Sequence, residues 1–287
     1  MPLLKKNEVI NDTYTVKFFI GEGAFGEVYR VSHKFMGLQV IKLLKKKYVE
    51  GVDTLKITRE AVILSKLTHK NIVRVFETNT FERDGENFYF ITMEFVSGES
   101  ISDLLKREIH LPLELSMKIQ VDFLRGLSFA QENKIIHRDI NTDNILLSYK
   151  NSETQALLSD FGLAQTIDQL SKIPDAAGRY LYFAPECYSG IYLLSSDVFS
   201  SGIVFYKMLT GFFPWECHIN YGESAEDIGH KIVLSRKKKF IPASNYDEQV
   251  PKSLDKVIAK SLELDIEKRY NNASEFLNSL NKIELNF

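Results

Sequence analysis

The sequence predicts an α+β fold in which a small antiparallel β-sheet lobe carrying one helix precedes a larger, mainly helical lobe. Residues 14–45 alternate and turn as β-hairpins do, and Val, Ile, Phe and Tyr predominate among them. After residue 100 the apolar positions recur instead at the period of helices. The 287 residues are enough for two lobes that each bury a core.

The predicted elements follow one another in a simple order. The first three strands are Tyr14–Ile20, Glu27–Ser32 and Leu38–Leu43. An amphipathic helix is predicted over 54–67, and two more strand-like runs follow near 72–79 and 87–95. Two polar loops, 137–148 and 157–163, interrupt the helices of the second half. Those helices are predicted at 100–107, 113–131, 195–210, 224–235, 251–262 and 273–283.

A short polar segment separates the two lobes. Val96-Ser97-Gly98-Glu99 contains a glycine and lies where the strand-like pattern gives way to the helical one. Because clefts between lobes are favoured ligand sites, we expect the functional residues to lie on either side of this joint. The predicted organisation is an N-terminal extension over 1–13, a small lobe over 14–93, a hinge over 94–99 and a large lobe over 100–287.

The bulk composition argues against several classes of partner. A net charge of −2 gives no electrostatic reason to expect nucleic acid or an acidic membrane surface. The compact basic run at 236–239 is interpreted as a solvated loop. No signal peptide and no apolar stretch of roughly 18 residues is visible, so we expect no membrane span and a cytoplasmic location. Cys187 and Cys217 do not make a disulfide framework, and nothing indicates the oligomeric state.

A glycine-rich turn connects the first two predicted strands. Residues 21–28 read GEGAFGEV, with Gly21, Gly23 and Gly26 followed by Val28. Glycine has no Cβ, so the backbone can approach a phosphate and present its N–H groups. A dinucleotide-binding turn or a plain hairpin would also explain the glycines. A dinucleotide fingerprint opens a helix, whereas this segment continues as a strand, which favours a phosphate-covering hairpin.

Two polar segments in the second half carry the most specific pattern. Residues 137–144 read HRDINTDN, with a carboxylate at Asp139 and a carboxamide at Asn144, and Asp160-Phe161-Gly162 follows 16 residues later. These segments resemble the catalytic loop and the metal-binding loop of eukaryotic-type protein kinases. The resemblance implies a bilobal protein kinase-like fold that uses ATP and Mg²⁺. It assigns Asp139 to accepting the proton of the acceptor hydroxyl, and Asn144 and Asp160 to binding magnesium.

The same resemblance assigns residues of the first lobe to the nucleotide. Lys42, on a predicted strand, would neutralise the α- and β-phosphates, and Glu60, on the predicted helix, would orient it. Val40 would cover the adenine, where the family ordinarily has alanine. The glycines at 21, 23 and 26 would cover the phosphates. The remaining nucleotide-binding residues implied by the resemblance are Val28, Met93, Leu146 and the backbones of Glu94 and Val96.

Supporting residues of the family pattern are also present. Ala184-Pro185-Glu186 would place Glu186 beside Arg269, since a buried carboxylate requires a partner. Asp197 would brace the backbone of the catalytic loop. His137 and Phe161 would stack as part of an apolar spine together with Val75 and Leu64. The resemblance covers about residues 14–284.

Two positions depart from the pattern of serine/threonine kinases. The lysine expected two residues after the catalytic aspartate is Asn141, and the threonine expected after Gly178 is Arg179. These positions contact each other in the family, so two interpretations are open. Either Arg179 reaches back and supplies the missing positive charge, or the substrate is unusual and the loop has been rebuilt for it.

Three functions compete on the sequence alone. The favoured one is a kinase that transfers phosphate to serine or threonine hydroxyls of a protein substrate, itself included. The second is a pseudokinase that acts as a scaffold, against which the retention of Lys42, Asp139, Asn144 and Asp160 argues. The third is a kinase with an unusual acceptor, either a tyrosine or a small molecule.

Overall fold

The structure is a computed structural model that describes residues 2–23, 26–46, 67–150, 153–161, 177–220 and 222–284. Residues 54–66 of the helix predicted over 54–67, Glu60 and Leu64 among them, lie outside the described residues. The described residues form two compact units. The first comprises those up to His69 together with Val73–Val96, and the second comprises Lys70–Ile72 and those from Ser97 onward. The predicted boundaries of the extension, hinge and lobes stay predictions.

The first unit is built on an antiparallel sheet of six strands in the order β1-β2-β3-β4-β6-β5. The hairpin between β5 and β6 turns through Asp84 and Gly85, whose φ angles of 52° and 78° are those of a two-residue primed turn. The strands are β1 Val9–Ile10, β2 Tyr14–Glu22, β3 Gly26–His33, β4 Gly37–Leu44, β5 Val75–Arg83 and β6 Glu86–Glu94.

Two details of this sheet differ from the prediction. The strand predicted near 72–79 begins at Val75 and runs on to Arg83, because the Asp84-Gly85 turn sets the register of the hairpin. The segment predicted as an N-terminal extension contributes β1, and its Leu4 and Ile10 are buried with Tyr29 in the core of the unit. The extension therefore takes part in the packing of the sheet.

The second unit is mainly helical. A smaller sheet of three antiparallel strands joins β7 Gly98–Ser100, β8 Ile145–Lys150 and β9 Glu153–Leu158. The helices are α1 Ile101–Glu108, α2 Leu113–Glu132, α3 Ala177–Tyr180, α4 Leu194–Thr210, α5 Ala225–Ser235, α6 Lys252–Ser261 and α7 Ala273–Leu280. Three of them start at polar caps: the side chains of Ser100, Ser224 and Asn272 accept hydrogen bonds from backbone N–H groups of the first turn.

The six helices predicted after residue 100 are all present. Their bounds differ from the prediction by at most one residue, except that α7 ends at Leu280, three residues early. The four-residue helix α3 is not predicted, since so short a segment has no apolar period. Helix α4 forms the centre of the unit: it contacts α2, α6 and α7, and every residue of it except Leu194 and Lys207 is buried.

In the described part of the chain, no helix combines the length and the apolar character that crossing a bilayer requires. Both cysteines are free thiols, and burial raises the pKa of Cys187 to about 12.

Gly126 tests the close packing of α2. A Cβ at this position would lie 2.5 Å from the backbone oxygen of Asn71. Gly126→Ala should therefore lower the free energy of unfolding by about 1–3 kcal/mol, although alanine favours a helix by about 1 kcal/mol over glycine. Chemical denaturation measures this. Gly229→Ala in α5 is the matched control, because its nearest neighbour is a side-chain carbon of Tyr188 at 3.2 Å, which can adjust. A gain in stability for Gly126→Ala would contradict the packing.

Candidate active site

The catalytic carboxylate predicted at Asp139 is held by two carboxamides of its own loop. Asn141 Nδ2 donates to Asp139 Oδ1 at 2.9 Å, and Asn144 Nδ2 donates to Asp139 Oδ2 at 2.9 Å. Both amides also donate to the backbone oxygen of Asp139, at 3.1 and 2.8 Å. All three side chains are buried. The loop therefore orients the carboxylate before any substrate is present.

Asn141 also closes the loop on itself. Its Oδ1 accepts the backbone N–H groups of Asp143 at 2.9 Å and of Asn144 at 3.3 Å. A lysine, the residue this position ordinarily has in the family it resembles, has no acceptor and could not make these bonds. The departure from the family pattern at Asn141 thus provides rigidity in place of charge.

The positive charge is supplied by Arg179, as the first of the two interpretations predicts. Arg179, on α3, places Nη1 2.6 Å from Asp139 Oδ2, and the side chains are 23% and 7% exposed. A guanidinium stays charged at any physiological pH. The positive charge absent at Asn141 is therefore present beside Asp139, although Arg179 lies 40 residues after Asp139 in the chain.

A buried carboxylate fixes the backbone that precedes Asp139. Asp197, in the first turn of α4, accepts the N–H of His137 at 2.8 Å and that of Arg138 at 2.9 Å. Arg138 has a φ of 67°, a left-handed conformation that is costly for a residue with a Cβ. Burial raises the pKa of Asp197, while His137 and the two N–H groups oppose that rise. The brace predicted for Asp197 is confirmed.

The predicted metal-binding segment is fastened to the same loop. Ser159 donates its N–H and its hydroxyl to the backbone oxygen of Asn144, at 2.8 and 3.0 Å. His137 Nε2 contacts Ser159 O at 2.8 Å, and its ring meets that of Phe161 edge-on at 4.7 Å. Asp160 lies between these anchors with a φ of 59°. The structure thus joins the segment that carries Asp160 to the one that carries Asn144.

Four of the nucleotide-binding residues predicted in the first unit share one face of its sheet. Val28 lies directly opposite Lys42 across β3 and β4, and Val40 lies opposite Met93 across β4 and β6. Because Val40 and Lys42 are two residues apart on one strand, their side chains point the same way. Lys42 is buried at 4% exposure. The face therefore combines apolar side chains with one ammonium.

The three predicted glycines lie at the turn between β2 and β3, and Glu94 is the last residue of β6. Gly26 cannot carry a side chain, because a Cβ would lie 2.0 Å from the backbone oxygen of Leu43. Gly21 lies on β2 opposite Val28 on β3, and Gly23 N donates to Gly26 O at 2.8 Å. Glu94 N donates to Arg74 O at 2.8 Å.

Two predicted nucleotide-binding residues lie outside this sheet face, and the predicted partner of Lys42 cannot be placed. Leu146 is half-buried on β8 of the second unit, paired with Leu157, and Val96 ends the first unit. Glu60 lies outside the described residues.

The interpretation of residues 236–239 as a solvated loop is wrong for Arg236. It is 4% exposed and donates to the backbone oxygens of Phe183 at 2.6 Å and Leu181 at 2.9 Å. Its guanidinium lies over the rings of Phe199 and Trp215, at 4.9 and 5.6 Å. The sequence does carry a signal for this burial. Arg236, the C-terminal cap of α5, follows the buried Ile228 and Ile232 at intervals of four residues and therefore lies on the same face of the helix.

Tyr182 makes another contact that the sequence did not predict. Its hydroxyl lies 2.9 Å from Thr142 Oγ1 in the catalytic loop, and Lys207 Nζ donates to it at 3.3 Å. Arg236 and Tyr182 together hold the segment that follows Arg179, one through the backbone and the other through a side chain. No local pattern predicts a pairing between residues so far apart in the chain.

The predicted pair of Glu186 and Arg269 is confirmed as a buried, bidentate salt bridge. Arg269 Nη1 and Nη2 lie 2.7 and 3.2 Å from the two carboxylate oxygens, and the side chains are 0% and 6% exposed. Ser196 Oγ also donates to Glu186 at 2.7 Å. Burial alone would raise the pKa of Glu186, but the hydrogen bonds from Arg269 and Ser196 outweigh it and lower the pKa.

Glu186→Gln should remove one component of the acid sensitivity of folding. Since the folded pKa of Glu186 lies below its ordinary value of 4.5, the pair stabilises fully above pH 4.5 and is lost as pH falls through the lowered value. We expect the variant to lose about 3 kcal/mol at pH 7 and less at pH 4, measured by urea denaturation. Glu86→Gln, which breaks the exposed pair with Lys46, should cost under about 1 kcal/mol. Equal losses at both pH values would contradict this account.

Comparisons with known proteins agree with this geometry. A family model described as the protein kinase domain matches residues 14–280. A probable serine/threonine-protein kinase of Clostridium perfringens is 29% identical over 282 residues, covering 96% of this chain and 39% of that protein. The serine/threonine-protein kinase PknB of Mycobacterium leprae is 29% identical over 272 residues, covering 93% and 42%. The chain thus spans about two fifths of the length of these relatives.

The kinase domain of PknI from Mycobacterium tuberculosis has a similar solved structure. The TM-score is 0.72 at 23% sequence identity, over 97% of this chain and 99% of that one. This likeness confirms the predicted α+β, protein kinase-like fold. Since the family model covers nearly the whole sequence, the chain belongs to the protein kinase domain family.

Proposed function

We propose that this chain is a protein kinase that transfers the γ-phosphate of ATP, with Mg²⁺, to serine or threonine hydroxyls of a protein substrate, its own included. The observation that carries the proposal is the preorganised carboxylate of Asp139, buried and oriented by Asn141, Asn144 and Arg179. Phosphoryl transfer requires positioning and charge stabilisation more than covalent chemistry from the protein. The loop provides the positioning, and Arg179 on α3 provides the charge.

The hydrogen bonds indicate which oxygen of Asp139 acts. A carboxylate offers about two lone pairs on each oxygen. Oδ2 accepts from Asn144 and Arg179, whereas Oδ1 accepts from Asn141. Oδ1 is therefore the oxygen to which the acceptor hydroxyl donates. It takes the proton as the hydroxyl oxygen bonds to the γ-phosphorus and the bond from that phosphorus to the β-phosphate oxygen breaks.

The residues proposed for magnesium suit that ion. Asn144 Nδ2 donates its hydrogens to Asp139, which leaves Oδ1 of the amide as its acceptor, and Asp160 adds a carboxylate. Magnesium prefers oxygen ligands, and it is bound through one or two protein groups plus phosphates and water. In the described residues, no cluster of three His, Cys, Asp or Glu side chains could hold a metal, so two ligands completed by phosphate fit better than an all-protein cage. When bound, the ion would neutralise charge on the phosphates.

The shared sheet face supports the nucleotide side of the proposal. Val28, Val40 and Met93 would contact the base, and Lys42 would meet the phosphates covered by Gly21, Gly23 and Gly26. Glu60, Leu146 and the backbones of Glu94 and Val96 remain proposed on the resemblance alone.

The alternatives are less well supported. A pseudokinase scaffold would not need a buried carboxylate with three donors, nor an arginine in place of the missing lysine. A small-molecule kinase would not need the buried pair of Glu186 and Arg269, and the relatives reported above are named as serine/threonine-protein kinases.

Asp139→Asn should abolish transfer without removing nucleotide binding. The amide cannot accept the hydroxyl proton, so we expect phosphate incorporation to fall by about 10²–10⁴-fold. Incubation with labelled ATP and Mg²⁺, with and without a generic protein substrate, measures it, and a fluorescent nucleotide measures binding. Asp84→Asn, in an exposed turn, is the matched control. Wild-type protein that binds nucleotide but transfers no phosphate would favour the pseudokinase.

Arg179→Ala should lower turnover more than it weakens ATP binding, because it removes positive charge beside the reacting groups. We expect kcat to fall about tenfold or more, with a smaller change in the KM for ATP. Arg125→Ala, which breaks the pair between the exposed Arg125 and the buried Asp122 on α2, should leave both unchanged. Adding Asn141→Lys to Arg179→Ala should restore part of the turnover by returning a charge to the loop. Unchanged turnover in Arg179→Ala would rule out charge replacement.

A further inference from the structure

We infer that Lys207 is a specificity residue that receives an anionic side chain of the protein substrate, either a carboxylate or a phosphoryl group. The inference rests on the proposed function and adds a substrate class to it. It is carried by the position of the ammonium, by its surroundings and by the neutrality of its hydrogen-bond partner.

The ammonium is linked to the catalytic loop by two hydrogen bonds in series. Lys207 Nζ donates to Tyr182 Oη at 3.3 Å, and Tyr182 Oη lies 2.9 Å from Thr142 Oγ1. Thr142 follows Asp139 by three residues, and its backbone oxygen accepts the N–H of Ser102 at 3.0 Å. A substrate chain that presents a hydroxyl to Asp139 therefore passes near Lys207.

The side chain is held in place and partly removed from water. It belongs to the last turn of α4, a helix in which every residue except Lys207 and Leu194 is buried. Its ammonium lies 4.3 Å from the centre of the Phe213 ring and 5.7 Å from that of Tyr182, and these two rings meet edge-on. Burial lowers the pKa of Lys207, while Asp143 opposes that shift. Such packing fixes the direction of a normally flexible side chain.

None of the described residues provides a counter-ion for this charge. No carboxylate oxygen among them lies within 4.0 Å of Lys207 Nζ. Burial raises the pKa of Tyr182 to about 12, so its hydroxyl stays protonated and uncharged. Asp143 is exposed, and its charge also acts on Lys106, which is paired with Asp103. The rings compensate for part of the lost hydration, and an arriving anion would compensate for more.

A family of peptides with one serine acceptor tests the inference. The residue at each position near the serine is set in turn to Glu, phosphoserine, Ala or Arg, and kcat and KM are measured with ATP and Mg²⁺. Wild-type protein should favour the anionic peptides by about tenfold in kcat/KM at one position, chiefly through KM. The Glu and phosphoserine arms distinguish a carboxylate from a phosphoryl ligand.

Variants of Lys207 assign the preference to this ammonium. Lys207→Glu should reverse the preference in favour of Arg, and Lys207→Met, which keeps an apolar stem between the rings, should abolish it. Lys260→Glu is the matched control: this lysine also lies over a ring, that of Tyr270 at 4.5 Å, but it is exposed and belongs to α6. It should leave the preference unchanged. If Lys207→Glu does not fold, Lys207→Met still gives the answer.

Two other results of the peptide assay would count against the inference. An equal loss with all peptides in the Lys207 variants would show a structural role. A preference for Arg in the wild-type protein would show that Asp143 dominates the surface. If the wild-type protein transfers no phosphate, the proposed function fails, and fluorescence polarisation of the same peptides then decides the inference independently. Tighter binding of the anionic peptides that is lost in Lys207→Met would support it, and equal binding would overturn it.

Discussion

The site depends on one constraint, the pair of hydrogen bonds by which Asp197 holds the N–H groups of His137 and Arg138. A left-handed Arg138 costs about 1–2 kcal/mol, and charge-assisted hydrogen bonds from backbone N–H groups to a buried carboxylate can offset that amount. Asp139 follows immediately, so its direction is set by this brace. The brace stands on α4, a helix that is buried along almost its whole length. An unpaired Asp197 would be a buried charge, so brace and loop stabilise each other.

The replacement of a loop lysine by Asn141 and Arg179 changes what catalysis depends on. A lysine at position 141 would make the positive charge part of the catalytic loop itself. Here the charge arrives from α3, so it is present only while the segment after Arg179 is held in place. Arg236 holds that segment through the backbone oxygens of Leu181 and Phe183. The positive charge beside Asp139 is thus coupled to the order of a segment that lies outside the catalytic loop.

Much of this arrangement could be predicted from the sequence, because short-range patterns specify it. The amides around Asp139 lie within six residues of each other, and the strands and helices follow their apolar periods. The parts that could not be predicted are long-range. The contact of Arg236 with Phe183 spans 53 residues and that of Tyr182 with Thr142 spans 40. The four-residue spacing from Ile228 and Ile232 indicates that Arg236 is buried, but no sequence pattern identifies its partners, since every residue has a backbone oxygen.

Helix α4 also keeps the residue that positions the catalytic loop apart from the residue proposed to select the substrate. Asp197 in its first turn positions the catalytic loop, and Lys207, ten residues later and therefore about 15 Å along the axis, faces Tyr182. A rigid helix fixes that spacing whatever residue occupies position 207. Since Asp197 takes its hydrogen bonds from the loop backbone, a change of charge at Lys207 leaves the brace intact. The preference for a substrate anion can therefore vary without disturbing the carboxylate that accepts the proton.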